Sequence, residues 1–250
     1  MGNTNVITRE DAYQTNMMTV SKNTVVGELK EPIAVFVVRA RLKNALRTLI
    51  SRRFNFHVTD HDGNTPLHHA SEIADMVVPL LPLSNVFSQN NFGHTPLSIA
   101  VMNQHYDAIP FLKDAMYKRD LNGNGPIHYA IELGDTDMVK CLVRCSPALS
   151  KFSVFEPEEY HLNHFCNENK ESPLCMAVKR MDEPMVKTLV DLGAIATDKV
   201  KVALVSHGKT DESIRMYGTL VQDTDVNRNV KTDADKYTGL LSGENKYVLF

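Results

Sequence analysis

The sequence lacks several features that would mark a specialised class of protein. Its 250 residues include no tryptophan, four cysteines, 12 glycines and 11 prolines, and 27 Lys and Arg stand against 30 Asp and Glu. The glycine and proline content excludes a collagen-like or low-complexity chain. A net charge of −3 provides no overall attraction for nucleic acid, so we expect no nucleic-acid partner. The hydrophobic fraction of 43% is too high for a wholly disordered chain.

Neither a membrane span nor a secreted protein is indicated. The longest apolar stretches, residues 33–38 and 76–83, are much shorter than the roughly 20 residues that cross a bilayer. The first 30 residues are polar and lack the apolar core of a signal peptide. The four cysteines lie between positions 141 and 175 and are too few for a disulfide scaffold. We therefore expect reduced thiols and a cytoplasmic location, or delivery into a host cytosol.

A six-residue motif recurs four times along the chain. It reads TPLHHA at residues 65–70, TPLSIA at 95–100, GPIHYA at 125–130 and SPLCMA at 172–177. The prolines of the first three copies are 30 residues apart, and the interval to the fourth is 47. Gly63, Gly93 and Gly123 stand two residues before the first three copies, where a tight turn with positive φ favours glycine.

Each copy is followed by the apolar pattern of a helix pair. Thr65 and Thr95 are suited to cap a helix, and the proline that follows fits its first position. Second helices are predicted around residues 138–143 and 185–190, and around residues 108–112, where Pro110 interrupts the pattern. We expect Pro79 and Pro82 to end the shorter second helix of the first copy. Residues 33–50 and 200–220 predict two divergent end pairs, which makes about six in total.

The motif resembles the ankyrin repeat, whose mark is G-x-T-P-L-H-x-A at a period near 33 residues. The resemblance implies an all-α fold, an ankyrin-repeat solenoid of stacked helix-turn-helix units with short β-turn fingers. We expect a polar N-terminal segment over residues 1–30, the repeat domain over 31–221 with an insertion near 146–167, and a flexible tail over 222–250. The family's histidine, here His68 and His128, implies a structural hydrogen bond and no catalysis.

A stack of such units exposes one long concave surface without a sequestered pocket, which suits binding of a macromolecule better than catalysis. The resemblance therefore implies a protein–protein interaction module, acting as an adaptor, scaffold or inhibitor. We expect another protein as the partner, no enzymatic activity, no cofactor, no metal and a monomer when unbound. The irregular repeats also prompt the hypothesis of a microbial or viral protein that acts on host proteins.

The family's binding positions, carried over one by one, fall on the inner helices and the fingers. On the inner helices they are His69, Glu72, Ile99, Met102, Tyr129, Glu132, Met176 and Lys179. In the fingers they are His61, Asn64, Asn91, Phe92, His94, Arg119, Asn122 and Asn124. We expect His69 and Tyr129 to be exposed. Phe92 is predicted either to anchor an interface or to fold back onto the neighbouring finger.

Other readings stay open. A zinc site is suggested by the spacing of Cys141, Cys145, His161, His164, Cys166 and Cys175, although buried thiols explain the cysteines better. Residues 39–53 hold six Lys and Arg and no acid, which suits the solvated face of an end helix, or a site for an acidic partner or lipid headgroups. An enzyme site in the insertion or the C-terminal segment is the last alternative, and no nucleophile or phosphate-binding motif supports it.

Overall fold

A computed structural model of the chain describes residues 5–146, 162, 163, 165–195 and 200. The described part of the chain begins with three short strands and one helix. Strand β1 (Val6–Ile7) pairs in parallel with β2 (Val25–Val26), which pairs antiparallel with β3 (Glu31–Pro32). Helix α1 (Arg9–Gln14) lies between β1 and β2, and the Thr8 hydroxyl caps it by accepting the N–H of Asp11.

Five helix pairs follow within the described residues. They are α2 (Ile33–Arg39) with α3 (Lys43–Ser51), α4 (Pro66–Ala70) with α5 (Ala74–Leu80), α6 (Pro96–Met102) with α7 (Ile109–Leu112), α8 (Pro126–Glu132) with α9 (Thr136–Cys145), and α10 (Pro173–Lys179) with α11 (Glu183–Asp191). Short 3₁₀ turns flank α7 on both sides. The pairs predicted from the four motif copies and from residues 33–50 are confirmed. Apart from Val200, the predicted pair over 200–220 lies outside the described residues, as does the tail over 222–250.

The repeated motif builds the same core in each repeat. Its aliphatic residue is 0–1% exposed at Leu67, Leu97 and Ile127, and each such burial contributes about 1.5–3 kcal/mol. Ala70 and Ala100, three residues later, are fully buried and allow the neighbouring helix to approach closely. Helices α2, α4, α6 and α8 pack side by side in chain order.

The prolines of the second helices act as expected from their geometry. Helix α5 includes Pro79 and ends at Leu80, and a 3₁₀ turn that contains Pro82 follows. Pro110 stands near the start of α7, where its missing N–H leaves no hydrogen bond unmade, and Ile109 and Leu112 beside it are fully buried.

Helix α2 is unusually apolar, and the N-terminal strands cover it. All six residues from Ile33 to Val38 are buried, so this helix is apolar on every side and needs cover beyond its own partner helix. Strands β2 and β3 pack against it, and the ring of Tyr13 meets that of Phe36 edge-on at 5.2 Å. The residues that precede the repeats thus supply packing for the first helix pair.

The described residues divide into two compact units, one of residues 5–133 with 137–146 and one of residues 134–136 with the described residues from 162 onwards. In the second unit α11 ends at Asp191, and Gly193, two residues later, has a φ of 96° that suits glycine. Asn163 holds the segment that follows Gly193, because its side-chain oxygen accepts the N–H of Ile195 at 2.7 Å. Most of the predicted insertion falls at residues that the structure does not describe. No helix in the described ranges has both the length and the apolar character to cross a membrane.

Candidate protein-binding surface

Each finger of the first unit is held by one acidic or amide side chain at its base. We define the fingers as residues 60–65, 90–95 and 120–125. Asp60 Oδ1 accepts the N–H groups of residues 62 and 64 at 3.0 and 2.8 Å. Asn90 Oδ1 accepts those of residues 92 and 94, both at 3.0 Å, and Asp120 Oδ1 those of residues 122 and 124, at 2.8 and 2.7 Å. The side chain fixes the turn together with a backbone hydrogen bond across each finger, from the N–H of the base residue to the carbonyl oxygen four residues later.

Sequence reasoning missed these three residues, although a signal for them existed. Asp60, Asn90 and Asp120 each stand six residues before the motif proline and recur with the same 30-residue period. Asp and Asn are the side chains that bond their own backbone two residues on. Asn167 holds the same position in the second unit, where its Oδ1 accepts the N–H of Glu171 at 3.0 Å.

Neighbouring fingers are joined through backbone atoms and amide side chains. The N–H of Asn91 donates to the carbonyl oxygen of Asp62 at 2.9 Å, and its side-chain amide donates to that of His61 at 3.0 Å. Asn90 Nδ2 donates to Asn64 Oδ1 at 2.8 Å. Glycines at the turns are required here, since φ is +80° at Gly93 and a Cβ there would lie 2.7–3.0 Å from backbone atoms of the third finger. The predicted positive φ of Gly63, Gly93 and Gly123 is confirmed.

The motif histidine connects two fingers, as the resemblance implied. His68 Nδ1 accepts the N–H of Thr65 at 3.0 Å, so the ring proton is assigned to Nε2, which donates to the carbonyl oxygen of His94 at 3.0 Å. Burial lowers the pKa of His68 to about 4, against the opposing hydrogen bond to His94. The ring is therefore neutral at pH 7, which the acceptor role of Nδ1 requires. In the third finger His128 Nδ1 accepts the N–H of Gly125 at 3.0 Å.

A side chain on two of the inner helices reaches back to the acid at the finger base. His69 Nε2 lies 2.8 Å from Asp60 Oδ2, and the hydroxyl of Tyr129 donates to Asp120 Oδ2. The equivalent residue of the second finger is Ile99, and there the base is the neutral Asn90. Polar rings thus accompany the two carboxylates, and an apolar residue accompanies the amide.

These contacts correct one expectation about exposure. His69 and Tyr129 were expected to be exposed, but the His69 side chain is 16% exposed and Tyr129 only 7%. Their polar atoms form hydrogen bonds with the carboxylates at the finger bases instead. Burial and Asp120 raise the pKa of Tyr129, so its hydroxyl stays protonated and remains a donor. Burial raises the pKa of Asp60, but the hydrogen bonds from His69 and Asn64 outweigh burial and hold it below its usual range.

The second and third fingers form an aromatic row. The ring of Phe92 is 57% exposed and stacks on His94 of its own finger at 5.9 Å, so it does not fold onto the neighbouring finger. His94 meets Tyr129 edge-on at 5.5 Å and places Nε2 3.9 Å from Asp120. Burial lowers the pKa of His94, and Asp120 opposes that shift.

The other predicted binding residues differ in how accessible they are. Ile99, Met102, Glu72, Asn64 and Asn124 are half-buried, whereas His61, Asn91, Arg119, Asn122 and Glu132 are exposed. In the second unit Met176 is buried, and exposed Lys179 pairs with Glu171. The whole set of binding residues stays a prediction.

The basic stretch over residues 39–53 is partly used inside the protein. Arg39 pairs with the buried carboxylate of Glu31, and Lys43 pairs with Asp75. Arg52 donates to the carbonyl oxygens of residues 17 and 20 at 2.6 and 2.7 Å, which ties α3 to the N-terminal segment. Arg41, Arg47 and Arg53 are exposed. Half of the cations therefore have structural partners.

The predicted zinc set is only partly described, and a second group of possible metal ligands lies in the first finger. Cys141 and Cys145 lie one turn apart on α9, and burial followed by the charge of Cys145 raises the pKa of the Cys141 thiol. His161 and His164 of the predicted zinc set lie outside the described residues. Asp60, His61 and Asp62 bring ligand atoms within 4.8 Å of one another, but Asp60 already accepts the finger's own hydrogen bonds.

Two curated proteins are similar to this chain. ANK repeat-containing protein nipk-1 of Caenorhabditis elegans is 29% identical over 180 residues, which cover 60% of this chain and 27% of that protein. Regulatory protein SWI4 of Saccharomyces cerevisiae is 26% identical over 168 residues, which cover 60% of this chain and 15% of that protein. The chain thus spans less than a third of the length of these relatives.

Structural and family comparisons agree with the repeat geometry. The crystal structure of the ankyrin repeat domain of Bcl-3 superposes with a TM-score of 0.59 at 20% sequence identity, covering 72% of this chain and 84% of that one. At this identity the likeness shows the fold alone. Residues 33–122 and 71–152 match a family model described as ankyrin repeats (3 copies). Together with the motif copies and the stacked helix pairs, these matches show that residues 33–152 form ankyrin repeats.

Proposed function

We propose that this protein is an adaptor, scaffold or inhibitor that binds a protein partner through one surface of its first unit. This surface, which we call the finger face, consists of the fingers and the inner helices α4, α6 and α8, within residues 60–72, 90–103 and 120–132. Ankyrin repeats are in general modules for protein–protein interaction. The observation that carries the proposal is the contrast between fixed finger backbones and exposed finger tips. No catalytic residue is proposed.

The finger face combines order with accessibility. Its backbone is fixed by Asp60, Asn90 and Asp120, so little conformational entropy is lost when a partner binds. Its tips present Phe92 and Leu121, which are 57% and 68% exposed. Exposed aromatic residues on a rigid frame are typical anchors of an interface. Met176 and Lys179 of the second unit are proposed as further contacts on the resemblance alone.

Affinity purification of the full chain followed by mass spectrometry identifies the partner, and a matched pair of variants then tests the surface. We expect Phe92→Ala to weaken partner binding at least about tenfold, as truncation of a central anchor does. Phe111→Ala is the control, because Phe111 is 45% exposed but lies on the second helix α7. Equal binding by both variants, with unchanged thermal transitions, would refute the finger face as the site. The hypothesis of a microbial or viral protein acting on host proteins stays a prediction.

A further inference from the structure

The three segments of the finger face contain acids but no Lys or Arg. Residues 60–72, 90–103 and 120–132 contain five acids and no Lys or Arg, although the whole chain is nearly balanced. The acids are Asp60, Asp62, Glu72, Asp120 and Glu132. The nearest cations in the sequence, Lys118 and Arg119, precede the third finger, and the Lys118 ammonium lies over the ring of Phe87 at 5.7 Å. Within these segments no Lys or Arg offsets the five acids, although Arg9, Lys30 and Arg39 line a cavity together with Asp60 and Asp62 of the first finger.

Two acids lie in a row with Met102: half-buried Glu72, in the turn after α4, and exposed Glu132, the last residue of α8. Glu72, Met102 and Glu132 each stand six residues after the motif proline of successive units. Helices α4, α6 and α8 pack side by side, and packed helices lie 8–10 Å apart. The two glutamates are therefore separated by roughly 16–20 Å, with an apolar side chain midway between them.

One end of this row opens into a cavity suited to a cation. The cavity has a volume of about 470 Å³, and its lining includes Met102, Leu133, Tyr129, Glu132 and Asp120. It combines the exposed carboxylate of Glu132 with an aromatic wall and aliphatic walls, while the oxygens of Asp120 already accept the finger N–H groups and the Tyr129 hydroxyl. An arginine side chain satisfies all three, because its guanidinium pairs with carboxylates and stacks on rings while its stem packs against apolar groups.

We propose that the finger face binds a partner segment with two basic side chains on either side of an apolar one, the basic groups meeting Glu72 and Glu132 and the apolar one meeting Met102. This inference rests on the proposed function and names the partner's chemistry. At 3.3 Å per residue, an extended segment spans the row when its basic residues are about six positions apart, and its apolar residue shares their face when it stands two or four positions from each of them.

Synthetic peptides test the inference directly with the full chain. The probe is a fluorescein-labelled peptide with the core Arg-Ser-Leu-Ser-Ser-Ser-Arg, whose three recognition residues share one face when it is extended, compared with versions in which Gln or Glu replaces both arginines. We expect the arginine peptide to bind about tenfold more tightly than the glutamine peptide, and the glutamate peptide to bind more weakly still. An increase in NaCl from 0.05 to 0.5 M should weaken the arginine peptide most, because these ion pairs are exposed to screening. Binding is measured by fluorescence anisotropy.

A charge-matched pair of variants locates the effect. We expect Glu72→Gln/Glu132→Gln to weaken the arginine peptide about tenfold, which corresponds to about 1.4 kcal/mol, and to abolish its advantage over the glutamine peptide. Glu183→Gln/Asp191→Asn changes the net charge equally on exposed positions of α11 and should leave binding unchanged. Failure of the arginine peptide to bind, no preference for arginine, or equal weakening by both double variants would overturn the inference.

The captured partner separates this inference from the proposed function. If Phe92→Ala releases the partner while Glu72→Gln/Glu132→Gln and added salt leave its affinity unchanged, the finger face is the site and the basic segment is wrong. If no variant of the finger face affects the partner, the proposed function itself fails, whatever the peptides show.

Discussion

At the residue scale, glycines and finger-base side chains set the shape of the fingers together. Asp60, Asn90 and Asp120 satisfy two backbone N–H groups each, while Gly93 allows the second finger to meet the third at distances that no side chain tolerates. The motif and its spacing predicted the glycine turns and the structural histidine. They did not predict that Tyr129 and His69 are consumed by the finger bases, because such a contact joins positions nine residues apart through a turn whose geometry a linear pattern does not contain.

Two glycines with similar backbone angles separate strain from collision. Gly93→Ala should lower the free energy of unfolding by about 2–4 kcal/mol, since the left-handed φ costs about 1–2 kcal/mol and the new methyl group meets fixed backbone of the third finger. Gly27 has a φ of +71°, but a Cβ there would meet only the Arg9 side chain at 3.5 Å. Gly27→Ala should therefore lower the free energy of unfolding by about 1–2 kcal/mol. Urea unfolding of both variants measures the difference, and equal losses would contradict the close approach.

The neutral state of His68 predicts a pH dependence of stability. The folded-state pKa of about 4 lies below the ordinary value of 6.5, so the unfolded chain binds a proton that the folded one refuses. This contribution is complete above pH 6.5 and is lost as the pH falls from 6.5 to 4, for a total of about 3 kcal/mol. The free energy of unfolding, measured across this range, should fall accordingly.

His68→Gln provides the control for that titration. This variant should be less stable at pH 7, because it loses the link to the carbonyl oxygen of His94, and its stability should depend less on pH between 6.5 and 4. An unchanged slope would show that other groups govern the titration.

At the element scale, the inner helices differ in whether a hydroxyl group caps their first turn. Thr95 caps α6 with its hydroxyl, Ser172 caps α10 in the same way, and Gly125 at the start of α8 has no side chain to do so. The helices were predictable because Pro, Thr and the aliphatic residue act locally. The N-terminal strands were not, because two-residue strands are too short to show an alternating pattern and depend on the apolar surface of α2.

Gly125 is a site at which a side chain should stabilise the protein. Its φ of −99° is open to any residue, and the equivalent positions carry Thr65 and Thr95. Gly125→Thr should raise the free energy of unfolding by about 0.5–1 kcal/mol, through a cap for α8 and a less flexible unfolded chain. Gly125→Ala lacks the hydroxyl and should be less stable than Gly125→Thr by about 1 kcal/mol in thermal or urea unfolding. Equal stability of the two variants would rule out a contribution of the cap.

At the scale of the whole molecule, stability is shared between neighbours in the stack. Each helix pair of the first unit packs mainly on the pairs next to it, so a defect at one end should act locally. The residues before the repeats belong to this scheme, because they cover the apolar helix α2. Sequence periodicity identified the repeats but could not show this cover, since it follows from contacts between segments without a shared motif.

A buried charge in α1 should reveal the local character of this coupling. Ala12 is fully buried, and Ala12→Glu should cost about 3 kcal/mol or more by placing a carboxylate in an apolar environment. Hydrogen exchange should show lost protection in α2 and α3 and retained protection in α8. Gln14→Glu, at an exposed position of the same helix, should leave exchange unchanged. Uniform loss of protection across the first unit would contradict nearest-neighbour coupling.

Different side chains of the fingers serve folding and recognition. Because Asp60, Asn90 and Asp120 hold the turns from below and the links between fingers use backbone atoms and amides, the side chains of His61, Phe92, Leu121 and Asn122 carry little of the fold. Those four positions form a natural site for a combinatorial library. Diversity introduced there would change what the surface recognises while the scaffold that displays it stays the same.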